Sequence, residues 1–214
     1  HAEYGLEGSA ADSYGYIDRF WAEGSIYDKE GTIYSIPFNK STEVLFYNKN
    51  LFDKYSWDVP ATWEDVIDIC NKWKQTTEYQ KALNDGKKVG GIGIDSEANF
   101  FITFIQQWGG KYTGFDANGK GQYLFNNAQS KEAIGWFANN FNQGIFGTAQ
   151  KFGTDYSSDA FKAMQCIMTT GSSAGASYNT TSTFETGVAE YPQRADGQNK
   201  NVIQQGTNVC LFER

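Results

Sequence analysis

The sequence predicts an α/β fold, a mixed sheet flanked by helices, and three observations carry that expectation. Apolar residues recur at helical spacing in three stretches, residues 66–73, 100–108 and 133–141. Short runs rich in β-branched and aromatic residues, residues 41–48 foremost, read as strands. The two kinds alternate along the chain, which is the order that builds stacked layers.

Taken in order, residues 1–30 read as a Gly-rich lead-in, with Tyr14, Tyr16, Ile17, Phe20 and Trp21 along one side of a short helix. Residues 31–37 predict a strand that Pro37 ends, and residues 41–48 a second one. Asn48-Lys49-Asn50 marks a turn. Thr62 opens a helix, with Asp65 in capping-box position and Val66, Ile69, Cys70 and Trp73 on its inner face. Asn84-Asp85-Gly86 is a further turn. Residues 89–94 predict a buried strand whose glycines permit close approach. Asp95 or Ser96 caps the next helix, which buries Phe100, Phe101, Phe104, Ile105 and Trp108 and stops at Gly109-Gly110. Residues 111–129 are turn-rich around Asp116-Ala117-Asn118-Gly119, and Ser130 begins a third helix that ends near Gly144. A short helix (158–164), a short strand (166–168), a small polar loop leading into a helix through Tyr178, and strands at 187–192 and 206–212 complete the chain.

Composition removes several functions. The chain of 214 residues carries a net charge of −7 and no run of Lys and Arg, which excludes the phosphate neutralisation that nucleic-acid binding needs. It has no apolar stretch of about eighteen residues to span a membrane. Its one His, His1, leaves no Ser-His-Asp triad and no His-based zinc site within the fold, so neither metal nor cofactor is expected. The three cysteines, Cys70, Cys166 and Cys210, are odd in number, give no complete disulfide framework, and read as small buried hydrophobes. The start lacks the basic and apolar segments of a signal peptide, so an export signal removed, or a cut from a longer chain, is expected. Aromatics make up 16% of the residues; most are expected in the core, but the same rings stack on the apolar faces of sugars.

Three segments together resemble the family 1 extracellular solute-binding proteins, the sugar receptors of ABC importers. Ile36-Pro37-Phe38-Asn39-Lys40-Ser41-Thr42-Glu43-Val44-Leu45-Phe46-Tyr47-Asn48-Lys49-Asn50-Leu51-Phe52 is similar to the family's hinge strand: a Pro-Phe pair, a polar stretch, an aromatic strand, then Tyr-Asn-Lys and a helix. Pro60-Ala61-Thr62-Trp63-Glu64-Asp65 resembles its Pro-x-Thr-Trp helix start, with Asp65 where Glu is usual. Ala163-Met164-Gln165-Cys166-Ile167-Met168-Thr169-Thr170-Gly171-Ser172-Ser173 resembles its Ala-Met strand and small-residue loop, without the usual glycine step. Around Ser41-Thr42 and residues 169–173 the similarity is to the glycerol-3-phosphate and glycerophosphodiester branch. The resemblance covers about residues 25–212 and implies one lobe of a periplasmic-binding-protein-like type II fold. Residues 1–30 would lead in from the crossing region, and residues 31–214 would form the C-terminal lobe. The implied partners are a small-molecule sugar, an N-terminal lobe of the same protein and a membrane permease. The implied location is extracellular, as a cell-surface lipoprotein or in a periplasm.

The candidate ligand-binding residues follow from strand and helix geometry. Alternation puts Asn39, Ser41 and Glu43 on one face of the aromatic strand, where sparse polar groups suit sugar hydroxyls. Ser172 and Ser173 stand after a strand at a helix start, where backbone N–H groups are free to hold a hydroxyl or an anion. Glu97 and Asn99 begin a helix at a strand's carboxyl end. Gly206 precedes the return strand, where backbone can approach a ligand or simply turn. Trp108 and Tyr178 are stacking candidates, Trp108 fitting its helix's core face as well. No Arg lies in these loops, which favours a neutral mono- or oligosaccharide over a phosphate. The competing enzymatic reading, a glycoside hydrolase fragment, would draft Glu43, Asp95 and Glu97, but no motif pairs them.

Overall fold

The structure, a computed structural model, describes residues 16–27 and 30–212. The chain divides into two compact units, one holding residues up to Thr42 together with the segment from Gln204, the other Glu43–Ile203. Tyr14, expected on the first helical face, lies outside the described residues.

The smaller unit begins with α1 (Asp18–Ala22) and a 3-10 turn. Strand β1 (Ile36–Asn48) starts here and continues into the larger unit. Its first half pairs antiparallel with β8 (Gln204–Val209), from Ile36 opposite Val209 to Thr42 opposite Gln204. Two strands broken at Pro37 were expected; there is one. Pro37 lacks an N–H, and the register shifts between Pro37 and Asn39, so Phe38 bulges out with 76% of its surface exposed while the strand goes on. Lys40, its side chain buried, pairs with Glu23, and Gln204 donates to the same carboxylate at 3.1 Å.

The larger unit is a mixed five-stranded sheet in the order β5-β2-β6-β1-β7. Strands β5 (Phe146–Thr148), β2 (Ile92–Ile94) and β6 (Met168–Ser172) run parallel, and β1 and β7 (Thr186–Ala189) join antiparallel. Helices cover both faces. Leu45 and Phe46 are neighbours in β1 and so point to opposite sides. Leu45 belongs to the large cluster built by α3 (Trp63–Trp73) and α5 (Glu97–Gln107), with Ala133 of α6 (Ala128–Asn142). Phe46 belongs to a second cluster with Phe152 of α7 (Ala149–Phe152) and Phe161 of α8 (Ser157–Lys162). Trp63 is fully buried, with four rings set edge-on to it, and its Nε1 donates to Gln107 at 2.7 Å.

Several details depart from the expectations. Asn48-Lys49-Asn50 is not a turn: Asn48 caps α2 (Lys49–Tyr55), its side chain accepting from the Leu51 N–H. Helix α4 (Thr77–Asn84) had no clear apolar face to announce it and buries only Ala82. Helix α6 starts at Ala128 because Asn127, not Ser130, is its cap. The residues around Asp116–Gly119 join β3 (Thr113–Phe115) to β4 (Gly121–Tyr123) as a hairpin. Cys70 and Cys166 are core residues, but Cys210 is exposed, because it lies just past the end of β8.

Candidate functional site

Parallel strands present their carboxyl ends at one edge of the sheet, and β2 and β6 do so side by side, Ile94 opposite Thr170. Strand β2 runs out into Asp95 and Ser96. The Ser96 hydroxyl accepts from the Asn99 N–H at 3.3 Å and starts α5, which sets Glu97 and Asn99 in the first turn. Strand β6 runs out into Ser172, whose hydroxyl accepts from the Ala174 N–H at 3.2 Å and starts a 3-10 segment, Ser173–Asn179. The two exits are adjacent, since a Cβ built on Gly171 would lie 3.8 Å from the Asp95 carboxyl. Ser173 and Tyr178 are exposed on the 3-10 segment, with 71% of Tyr178 open.

Behind this edge stands Glu43, directly opposite Ser172 in the β1–β6 ladder and 4% exposed. Its carboxyl is pushed up to about 7. Burial is the main cause, the Asn99 side chain opposes it by donating a hydrogen bond, the Asp95 charge adds to it, and the Tyr191 hydroxyl opposes it. Asp95 is exposed as a residue, yet its carboxyl is also held above the usual range. Partial burial raises it, the Ser157 hydroxyl donating at 3.2 Å opposes, and the Glu97 charge raises it further. Ser157 in turn accepts from the Thr169 hydroxyl at 2.9 Å, so α8 fixes Asp95 from below.

Of the nine candidates, Glu97, Asn99, Ser172 and Ser173 therefore share the carboxyl edge of the larger unit, and Tyr178 lies on the segment leaving it. Asn39, Ser41 and Gly206 belong to the smaller unit. There the Ser41 hydroxyl donates to the Gln205 side chain at 3.4 Å. Gly206 lies within β8, not before it, and faces Lys40 with φ +106°. The approach it permits is that of the β1 backbone, not a ligand: a Cβ would lie 1.8 Å from the Asn39 carbonyl oxygen. Trp108 follows the last turn of α5, at the end away from Asn99, and is 5% exposed. It packs on Phe104 and Trp136 under the Arg194 guanidinium, in keeping with its core-face reading. Sequence reasoning missed Tyr191 and Ser157, whose roles come only from the folding of distant segments onto the edge. Two concavities among the described residues lie elsewhere, one beside Trp57, Pro60 and Ile69, the other on the β3–β4 hairpin.

A mixed α/β sheet whose parallel strands end on hydroxyls, an amide and carboxylates, with no Lys or Arg among the edge residues named, is an architecture in which small-molecule ligands gather at the carboxyl edge. Residues 7–213 match the family of bacterial extracellular solute-binding proteins, and the chain belongs to that family. It is 30% identical over 191 residues to the sn-glycerol-3-phosphate-binding periplasmic protein UgpB of Escherichia coli K12, covering 86% of this chain and 42% of that protein. Among solved structures it is similar to the GacH receptor of Streptomyces glaucescens, studied unliganded and with acarbose, at TM-score 0.69 and 20% identity over 97% of this chain and 52% of that one. It is also similar to UgpB of Mycobacterium tuberculosis in complex with glycerophosphocholine, at TM-score 0.65 and 18% identity over 98% of this chain and 51% of that one. The solved structures establish the periplasmic-binding-protein type of fold, and the chain spans about half the length of these relatives.

Proposed function

We propose that this chain is the ligand-contacting C-terminal lobe of the extracellular receptor of an ABC importer, and that it captures a neutral mono- or oligosaccharide without altering it. The observation that carries the reading is the edge itself. Ser96 and Ser172 start their turns side by side, Asn99 and Ser173 stand beside them, and the charged groups named there are the carboxylates of Asp95, Glu97 and Glu43. Such a surface offers donors and acceptors to hydroxyls and repels a phosphate. Tyr178, as a stacking ring, remains a candidate for the same ligand, and Asn39 and Ser41 remain candidate ligand-binding residues within the smaller unit. The other half of the cleft would come from an N-terminal lobe, and a membrane permease would take the loaded receptor. Secretion, to a periplasm or as a cell-surface lipoprotein, belongs to the same proposal.

A polyol phosphate is the second reading, favoured by the 30% identity to UgpB of Escherichia coli. It requires that the cation come from the other lobe, since the edge has none among the residues named. Thermal-shift titration of this chain, and of the longer receptor that carries it, with maltose, glycerol 3-phosphate and glycerophosphocholine separates the two readings. The saccharide is expected to stabilise the longer receptor, by about 2.7 kcal/mol at about 100 times its dissociation constant, and to shift this chain alone little. A response of this chain alone to glycerol 3-phosphate, with none to maltose, would reject the neutral-sugar reading. Turnover of an aryl glycoside would reject the non-enzymatic one.

A further inference from the structure

We propose that the edge of the larger sheet opposite the candidate ligand edge is a docking surface for an anionic lipid membrane, its contacts made by the ammonium groups of Lys74, Lys87, Lys88 and Lys151. From the proposed function it takes only a location outside the cell, beside a membrane; a bound solute plays no part in it.

Strands β2, β5 and β6 run parallel, so the residues that lead into them share one edge. Backbone bonds hold those lead-ins together. The Gly90 N–H donates to the Gln165 carbonyl at 2.8 Å, and the Ile92 N–H to the Ile145 carbonyl at 2.9 Å. The lysines are pinned to the same segments. Lys74 Nζ donates to the Gln143 carbonyl at 2.8 Å, and Lys151 Nζ to the carbonyls of Phe141 at 2.8 Å and Phe146 at 2.9 Å. Lys87 Nζ donates to the Ala163 carbonyl at 2.7 Å. Lys88 runs beside α7, its Nζ 3.5 Å from where a Cβ on Gly153 would stand. The Gln165 side-chain amide donates to the Lys88 and Phe152 carbonyls at 3.0 and 2.9 Å, which fixes that pairing.

Carbonyls at helix ends attract cations, so capping accounts for where these ammonium groups sit. It does not account for their company. Lys49, Lys54, Lys72, Lys81 and Lys162 all stand in ion pairs with carboxylates, whereas none of the four pairs with a carboxylate of the described residues. Lys74 and Lys151 are held on carbonyls two residues apart, where like charges repel until an anion joins them. An ammonium has three donors, so each of the four keeps at least one for an outside acceptor. In a chain of net charge −7, such a concentration of positive charge selects the side that turns to an anionic surface. Lysines are compact charges on flexible stems, without the fork by which Arg grips a single phosphate, and so suit a field of lipid headgroups. Leu83, 44% exposed on the turn that leads from α4 to Lys87, adds an apolar side chain for the interface.

Vesicle co-sedimentation of this chain tests the proposal, and sugar binding does not enter the readout. The chain is expected to bind vesicles of equal parts phosphatidylglycerol and phosphatidylcholine at about 0.05 M salt, to leave them by about 0.5 M, and to ignore phosphatidylcholine alone. Lys87→Gln with Lys88→Gln, both exposed, is expected to weaken binding by about fivefold for each lysine, about 25-fold for the pair. Lys87→Arg with Lys88→Arg keeps the charge and should bind as the wild type does. Lys111→Gln with Lys120→Gln removes the same charge beside the β3–β4 hairpin and should change binding little. A wild-type chain that fails to bind at about 0.05 M salt, or equal losses in the two Gln pairs, would overturn the proposal. So would release from the vesicles by about 5 mM inorganic phosphate at constant ionic strength, which would make the edge a site for a free oxyanion.

Discussion

At the scale of single residues, Gly206 and Glu43 show two ways in which a side chain, or its absence, sets local structure. Gly206 has φ +106°, a backbone conformation that L side chains rarely adopt, and the Asn39 carbonyl fills the space a Cβ would need. Gly206→Ala is expected to cost roughly 1–3 kcal/mol, read as a lower urea midpoint. An unchanged midpoint would mean that the β1–β8 pairing has room to shift. Glu43 is the opposite case, a side chain whose chemistry depends wholly on its neighbours. Alternation along β1 placed it on the face of Asn39 and Ser41, but a carboxyl pushed up to about 7 needs burial and the Asp95 charge beside it, and Asp95 arrives from about 52 residues away.

At the scale of elements, the capping box of α3 joins sequence to structure most directly. Thr62 Oγ1 accepts from the Asp65 N–H at 3.1 Å, and Asp65 Oδ2 accepts from the Thr62 N–H at 3.0 Å. The Thr62 bonds hold the Asp65 carboxyl below its ordinary value. Thr62→Ala is expected to destabilise the chain by about 1 kcal/mol in urea unfolding. A change near zero would mean that burial of Trp63, Val66 and Trp73 already fixes the start of the helix. Helix α5 does two jobs. Its first turn presents Glu97 and Asn99 to the edge, and at its last turn Gln107 is fully buried, donating to the Pro192 and Asn201 carbonyls while accepting from Trp63. The far end is thereby anchored in the core, which keeps the near end in place.

At the scale of the whole chain, stability should grade from the centre of the larger unit outward. Strands β2 and β6 each have a neighbour on both sides, and all of Ile92–Ile94 is buried. Their amides are expected to exchange slowest in hydrogen-exchange measurements, and those of the exposed β3–β4 hairpin among the fastest. Protection of the hairpin equal to that of β2 would reveal a partner for its exposed Phe115 and Tyr123.

The alternation of strands and helices, the inner faces of α3 and α5, the Thr62 cap and the polar exits at Ser96 and Ser172 were all legible in the residues. Each is a local property, written in spacing of a few positions. What the sequence by itself determined was therefore the class of fold, the elements that bear the candidate site and, through the hinge-strand and Pro-x-Thr-Trp segments, the family. The tertiary structure decided the rest: that the strand runs on past Pro37 with Phe38 as a bulge instead of ending there, that Gly206 admits backbone and not ligand, and that Glu43 is buried near the Asp95 charge. Those outcomes rest on strand register and on contacts between segments far apart in the chain, and no local pattern of residues encodes which distant group will arrive.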